Sequence, residues 1–276
     1  MPRTLPLYQV DAFTREPFSG NPAAVCPLDD WLGDEVMQKI AAENNLSETA
    51  FFVPDENGEA DYRLRWFTPT REVELCGHAT LASAWVLFNE LGVEQETIVF
   101  VTQKAGLLSV RRGEGGVLVM DFPANPPRPT PHHEKLGFAL GGDNLKSPAK
   151  EFYSAPNTMR LAVLGSARDV IDLKPQFWAV AEAAPDGLIV TAQGEEGSGV
   201  DFVSRYFAPA WGINEDPVTG SAHTVLAPYW AKRLKKDSLR ARQVSKRGGD
   251  VFCEMVGDRV RISGHAVLYL KGEARI

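Results

Sequence analysis

The sequence predicts an α/β (α+β) fold of two pseudo-symmetric domains, each a mostly antiparallel sheet wrapped around a central helix. Three observations carry that expectation. The chain has 276 residues, enough for one large domain or two smaller ones. An internal repeat runs through it. A proline-dense segment, Pro123-Ala124-Asn125-Pro126-Pro127-Arg128-Pro129-Thr130-Pro131, separates the halves. The repeat has four checkpoints in one order. Ala24-Val25 recurs at Ala162-Val163, an offset of 138, and Arg65-Trp66-Phe67-Thr68-Pro69 at Arg205-Tyr206-Phe207-Ala208-Pro209, an offset of 140. Gly77-His78-Ala79-Thr80-Leu81-Ala82 resembles Gly220-Ser221-Ala222-His223 at 143, and Lys104-Ala105-Gly106 resembles Lys246-Arg247-Gly248 at 142. Each match is weak alone. Their common order and narrow drift mark a repeat.

The elements follow the same plan in both halves. Ala23–Cys26 reads as a short buried strand. Asp29 or Asp30 can cap a helix that carries Leu32, Val36 and Ile40 at helical spacing. Thr49–Val53 and Tyr62–Phe67 read as strands, the second alternating Tyr62, Leu64 and Trp66 against Arg63 and Arg65, as a half-buried antiparallel strand does. In the second half Leu161–Leu164 is a strand, Gln176–Ala183 a helix, and Leu188–Thr191 and Asp201–Phe207 strands. Each half then reaches a glycine that opens an apolar helix. The first carries Leu81, Trp85 and Phe88 and is apolar nearly all round, so it is expected to be enclosed. The second carries Val225, Leu226, Tyr229 and Leu234. Strands follow at Leu107–Val110 and Val117–Phe122, and at Val251–Val256 and Arg259–Ile262. The expected domains are 1–122, with the C-terminal strand a candidate to complete it, and 132–276. Residues 123–131 are expected to form a stiff extended linker that proline keeps out of any sheet.

Composition narrows the function. Twenty-nine basic against 36 acidic residues give a net charge of −7, which argues against a general phosphate-backbone binder, so no nucleic-acid partner is expected. No apolar run approaches the ~18 residues of a membrane span, and the N-terminus lacks the pattern of a secretory signal. Three cysteines, Cys26, Cys76 and Cys253, form neither a disulfide framework nor a zinc knuckle. The expectation is a soluble, cytoplasmic protein. His132-His133 has no metal-ligand spacing and reads as linker surface, His265 as structural, and no metal site is expected. Gly113-Glu114-Gly115-Gly116 sits in a hairpin and opens no helix, so it is not a phosphate loop.

The chemistry is expected at the two glycine-led helices. A helix N-terminus presents unpaired N–H groups and a positive dipole end, and so holds a carboxylate or phosphate. Pseudo-twofold halves would set the starts at Gly77-His78 and Gly220-Ser221 face to face across a cleft suited to a small anion. Each glycine alone is read more simply as permitting a tight turn. Three titratable residues lie close by in sequence. Glu48 stands before the apolar run Ala50-Phe51-Phe52-Val53, where desolvation raises a carboxyl group toward a useful general acid or base, although a solvated loop carboxylate is the commoner case. His78 begins the first central helix, where a positive dipole end favours neutral imidazole; it can relay a proton or merely pack. Asp216 precedes the second central helix, where an acid is usually a cap, and Pro217 stiffens its approach.

Five motifs then resemble a known family: Val10-Asp11-Ala12-Phe13-Thr14, Gly20-Asn21-Pro22-Ala23-Ala24-Val25, Asn45-Leu46-Ser47-Glu48-Thr49-Ala50, Leu75-Cys76-Gly77-His78-Ala79-Thr80 and Glu215-Asp216-Pro217-Val218-Thr219-Gly220-Ser221-Ala222. Together they look like the phenazine-biosynthesis (PhzF-like) isomerases, from about Tyr8 to the C-terminal strands. The resemblance implies the diaminopimelate epimerase fold, no cofactor, a small anionic (carboxylate) substrate and a homodimer. It implies that Glu48 is the main proton-transfer residue, that His78 and Asp216 assist, and that Gly77, Gly220 and Ser221 hold the substrate's carboxylate or an enolate-like oxygen. The epimerase branch uses two thiols. Cys76 fills the first thiol position, while Asp216, Pro217, Val218 and Thr219 offer no second, so a two-thiol racemase is not expected and Cys76 is read as packing.

Overall fold

The computed structural model describes residues 3–131, 134–141, 149 and 151–276. His132-His133, read above as linker surface, lies outside the described residues. The chain divides into two compact units, Met1–Asp121 with Ser263–Ile276, and Phe122–Ile262.

In chain order the first unit runs β1 (Thr4–Ala12), β2 (Asn21–Pro27), α1 (Asp34–Asn44), β3 (Glu48–Pro54), β4 (Tyr62–Phe67), β5 (Glu72–Val73), α2 (Gly77–Asn89), β6 (Thr97–Thr102), β7 (Leu107–Arg112) and β8 (Leu118–Pro123). Then follow β9 (Arg128–Thr130), α3 (Glu134–Ala139), β10 (Glu151–Ser154), β11 (Arg160–Val163), α4 (Ala167–Asp172), α5 (Phe177–Ala183), β12 (Leu188–Gln193), β13 (Phe202–Ala208), β14 (Ile213–Asp216), α6 (Gly220–Leu234), β15 (Ser238–Gln243), β16 (Gly249–Val256) and β17 (Arg259–Gly264). The last strand, β18 (Ala266–Arg275), pairs antiparallel with β1 from Ala12↔Ala266 to Thr4↔Arg275.

The two units share one pairing scheme. β2 and β3 run parallel, as do β11 and β12. β3 is antiparallel to β4, and β12 to β13. β4 pairs parallel with β6, and β13 with β15. The hairpins β6–β7 and β15–β16 complete the correspondence. The helix-bearing loops between the parallel strands are the crossovers that parallel pairing requires.

Helix α2 is the buried axis of the first unit. Eleven of its residues are buried, leaving only Trp85 and Asn89 partly or fully open. It packs on β1, β2, β3, β7 and β18. A helix so apolar has no polar face to offer water, which is why the sheet curls round it. In α6, buried positions run from Gly220 to Ala231, and its last turn carries Lys232 and Arg233, which favour the negative dipole end. Outside the first sheet, α1 sets Met37, Ile40 and Ala41 against Cys26, Phe51, Val53 and Phe67. Outside the second, α3, α4 and α5 cover Phe152, Leu188, Val190 and Phe207.

One charged device recurs. Arg65 on β4 binds Glu72 on β5 through Nε and Nη2, each at 2.7 Å, and lies over the Phe67 ring at 5.1 Å. Arg205 on β13 binds Glu215 on β14 at 2.7 and 2.9 Å and lies over Phe207 at 4.9 Å. Both pairs clamp the strand that leads into a central helix.

Three local expectations are corrected. The first helix starts at Asp34, with Gly33 at its N-cap, and Val36 faces water. Asp29 and Asp30 lie before it because Asp34 and Glu35 supply the first-turn acids instead. Strand β4 is covered on both faces from Leu64 onward: Arg65 is buried because Glu72, Asp34 and the rings of Trp31 and Phe67 surround it. Finally, Arg128–Thr130 is a strand, with Pro129 opposite Tyr153 of β10. Proline is tolerated in a strand whose ring nitrogen faces away from the neighbour.

Candidate active site

The first unit gathers Glu48, Asn21 and the Cys76-Gly77-His78 helix start by three separate local devices. Asn45 ends α1 in the left-handed conformation, at φ 49°, which asparagine tolerates. The chain turns there and enters β3 at Glu48, opposite Ala23 of β2. Next, Gly20 takes φ +66°, and a Cβ there would fall 2.1 Å from the Ala12 carbonyl oxygen. Only glycine makes that turn, and it delivers Asn21 to the head of β2. Lastly, Cys76 is the N-cap of α2 in an extended conformation, and its side chain does not cap the helix. The Thr80 hydroxyl donates instead to the Cys76 carbonyl at 2.6 Å, tying down the first turn.

His78 Nε2 lies 3.2 Å from Glu48 Oε2. The Asn21 side-chain nitrogen lies 3.1 Å from His78 Nδ1, and Cys76 Sγ lies 3.4 Å from the same ring nitrogen. An amide that donates to Nδ1 leaves the imidazole proton on Nε2, facing the carboxylate. Burial pushes the His78 pKa down to about 3, so the ring is neutral at physiological pH and the contact with Glu48 is not an ion pair. A carboxylate next to a neutral imidazole, with 12% of its own side chain exposed, can take a proton from a bound molecule.

Asp216 belongs to the second unit. It ends β14, is buried, and accepts the Thr219 hydroxyl at Oδ2. Gln243, fully buried at the end of β15, holds this turn from both sides. Its Nε2 donates to the Asp216 carbonyl at 2.8 Å, and its Oε1 accepts from the Thr219 N–H at 2.9 Å. His223 Nδ1 lies 2.7 Å from the Thr219 carbonyl, and burial pushes that histidine's pKa down to about 4. Gly220 and Ser221 open α6 here, as Gly77 and His78 open α2. Neither helix has a side-chain cap or an acid in its first turn. The first-turn N–H groups are therefore left to other acceptors.

Sequence reasoning missed Asn21, Gln243 and the chemical position of Cys76. Asn21 stood within a quoted motif, yet nothing in sequence shows that its amide meets a histidine 57 positions away. Gln243 had no signal beyond its place at the end of a strand. Cys76, read as packing, has its sulfur on the His78 ring.

The fold is that of the epimerases and racemases. A hydroxyproline epimerase from Agrobacterium vitis superposes with a TM-score of 0.62 over 99% of this chain and 93% of that one, at 12% identity, a likeness of fold alone. Family and enzyme class come from nearer relatives. The phenazine biosynthesis-like protein family (PhzC-PhzF) matches residues 10–272. An uncharacterized isomerase of Pseudomonas aeruginosa is 50% identical over 97% of this chain and 98% of its own. A crystal structure of a PhzF-family phenazine biosynthesis protein from Enterococcus faecalis has a TM-score of 0.91 at 48% identity, covering 99% of this chain and 100% of that one. The chain belongs to the phenazine biosynthesis-like family, and its enzyme class is isomerase.

Proposed function

We propose that the protein is a cofactor-independent isomerase that moves a proton between carbons of a small carboxylated molecule. Glu48 takes the proton from one carbon and returns it at another, with the neutral His78 ring beside it to accept or relay. Asp216, held by Thr219 and Gln243, assists from the second unit. Gly77, Gly220 and Ser221 hold the substrate's carboxylate, or the enolate-like oxygen that develops as the proton leaves, through the open N-termini of α2 and α6. The observation that carries this reading is the contact between the Glu48 carboxylate and an imidazole that burial keeps neutral. The reaction needs no net change in atoms: one proton leaves one carbon, and one proton, exchangeable with solvent while it rides on Glu48, is added at another.

The three free cysteines and the net negative charge support a cytoplasmic protein, and the family supports a homodimer. Among the described residues no helix is long and apolar enough to cross a membrane. A second reading, epimerisation at one carbon with Glu48 in place of a thiol, is favoured by the shared fold. The α6 N-cap is Thr219 where that of α2 is Cys76, which argues against a pair of thiols. The test is a panel of small carboxylic acids incubated with the protein in deuterium oxide. Deuterium appearing at a new carbon supports isomerisation. Inversion at the labelled carbon supports the second reading, and no exchange on any acid removes both.

A further inference from the structure

Each central helix carries the same hydrogen bond in its first turn, made by a different side chain. In α2 the Thr80 hydroxyl donates to the carbonyl of Cys76, the N-cap, at 2.6 Å. In α6 the ring nitrogen Nδ1 of His223 lies 2.7 Å from the carbonyl of Thr219, the N-cap there. Thr80 stands three residues after Gly77 and His223 three after Gly220, so the two donors hold one position of the repeat. Both side chains are fully buried. Burial keeps the His223 ring neutral, and because a carbonyl only accepts, the ring proton is on Nδ1. We propose that Thr80 and His223 are positioning residues: each, through the N-cap carbonyl, aims and strengthens the N–H of the glycine that follows, Gly77 in α2 and Gly220 in α6. This role rests on the reading in which those glycines hold the substrate's carboxylate or enolate-like oxygen.

The N-cap carbonyl and the glycine N–H are two ends of one planar trans peptide, and they point in opposite directions. A donor bound at the oxygen fixes the plane, and therefore where the N–H points. It also draws electron density toward the oxygen, which makes the N–H a stronger donor. The carbonyl faces along the helix toward its fourth residue. The N–H faces out of the helix start, where no capping side chain competes for it. A hydroxyl bonded to the carbonyl four residues back is a common helix device, and Ser83 binds Ala79 in that way. A histidine in its place is the more telling case. Its Nε2 is buried with no partner among the described residues, whereas a leucine of similar size would leave nothing unpaired. The one thing the ring does that leucine cannot is hold the Thr219 carbonyl. Gln243 binds the same residue from its other side, accepting from the Thr219 N–H at 2.9 Å, so both peptides that flank Thr219 are fixed.

The test follows the backbone amides of the isotope-labelled full chain by NMR, with inorganic sulfate as the probe anion. Thr80→Val and His223→Leu remove the donors with little change in volume. Thr80→Ser keeps a hydroxyl, and His223→Asn places an amide N–H where Nδ1 stood. In Thr80→Val the Gly77 amide proton is expected to move upfield, and sulfate, read at that amide, to bind about 2–10-fold more weakly. His223→Leu is expected to do the same at Gly220. The serine and asparagine variants are expected to bind sulfate within about twofold of the wild-type chain. Circular dichroism establishes that each variant is folded. A glycine amide that stays in place when its donor is removed, or an unchanged sulfate affinity, overturns the role. So does a loss in Thr80→Ser or His223→Asn equal to that in the valine or leucine variant, which marks packing alone. Sulfate that shifts neither glycine amide in the wild-type chain overturns the anion-holding helix starts and the role with them. Neither readout uses turnover, so the absence of deuterium exchange on any acid would remove the isomerase reading and leave this role standing.

Discussion

Oε2 of Glu48 lies 3.2 Å from Nε2 of His78, and the ring is oriented from its far side by the Asn21 amide at 3.1 Å. The carboxylate thus meets an imidazole whose proton and plane are both fixed. Glu48→Gln keeps the shape and polarity of the side chain but removes the base. Proton exchange on a responsive acid is expected to fall by about 10²–10⁴-fold, with binding of that acid largely retained. Exchange at the wild-type rate would remove Glu48 from the mechanism.

Cys76→Ser is expected to lose less than about tenfold in exchange, far short of the loss from Glu48→Gln. The thiol contacts the ring but has no thiol counterpart at Thr219, the equivalent N-cap. A loss equal to that of Glu48→Gln in a folded variant would give Cys76 a direct part in the chemistry.

Gln243 makes three side-chain hydrogen bonds, to the Asp216 carbonyl, the Thr219 N–H and the Thr219 hydroxyl. Gln243→Leu takes these bonds away, leaving the Thr219 hydroxyl only its bond to Asp216, at about 1–3 kcal/mol for each buried group left unpaired. The expected result is a lower denaturation midpoint and a lower turnover rate with little change in KM. An unchanged midpoint would show that the turn holds itself.

Stability should fall below neutral pH. His78 and His223 have native pKa values of about 3 and about 4, against 6.5 for an unperturbed histidine. Below 6.5 the unfolded chain takes up protons that the native state refuses. Stability therefore rises with pH across the window from 3–4 to 6.5, by up to about 1.4 kcal/mol per pH unit for each histidine. Denaturant unfolding at pH 7 and pH 5 measures the slope, and His78→Asn is expected to flatten it. A slope that His78→Asn leaves intact would place the effect elsewhere.

The repeat made the architecture readable because it is written in residues with few substitutes. The Arg65–Glu72 and Arg205–Glu215 clamps stand behind the matching Arg-aromatic-Phe segments, and the glycines of α2 and α6 behind the matching helix starts. Glu48 and His78 were singled out through the motifs around them, and their side chains meet at 3.2 Å. What stayed hidden was pairwise and distant. The alternation of β4 could not show that Arg65 is buried, because its partner Asp34 lies 31 positions away. The spacing of Leu32, Val36 and Ile40 fitted a helix, but one starting too early, since it could not show that Gly33 supplies the N-cap. The pairing of Pro129 depends on which way its nitrogen faces, which composition does not record.

The long pairing of β1 with β18 has a consequence for how the chain is made. β1 leaves the ribosome tens of seconds before β18, at about 5–20 residues per second. Throughout synthesis the outer side of β1 is an open row of backbone donors and acceptors, available to any strand that meets it. The unit that emerges first is thus the one that closes last. Crowded expression should tax this protein most at the stage of a nascent chain whose first strand still waits for its final neighbour.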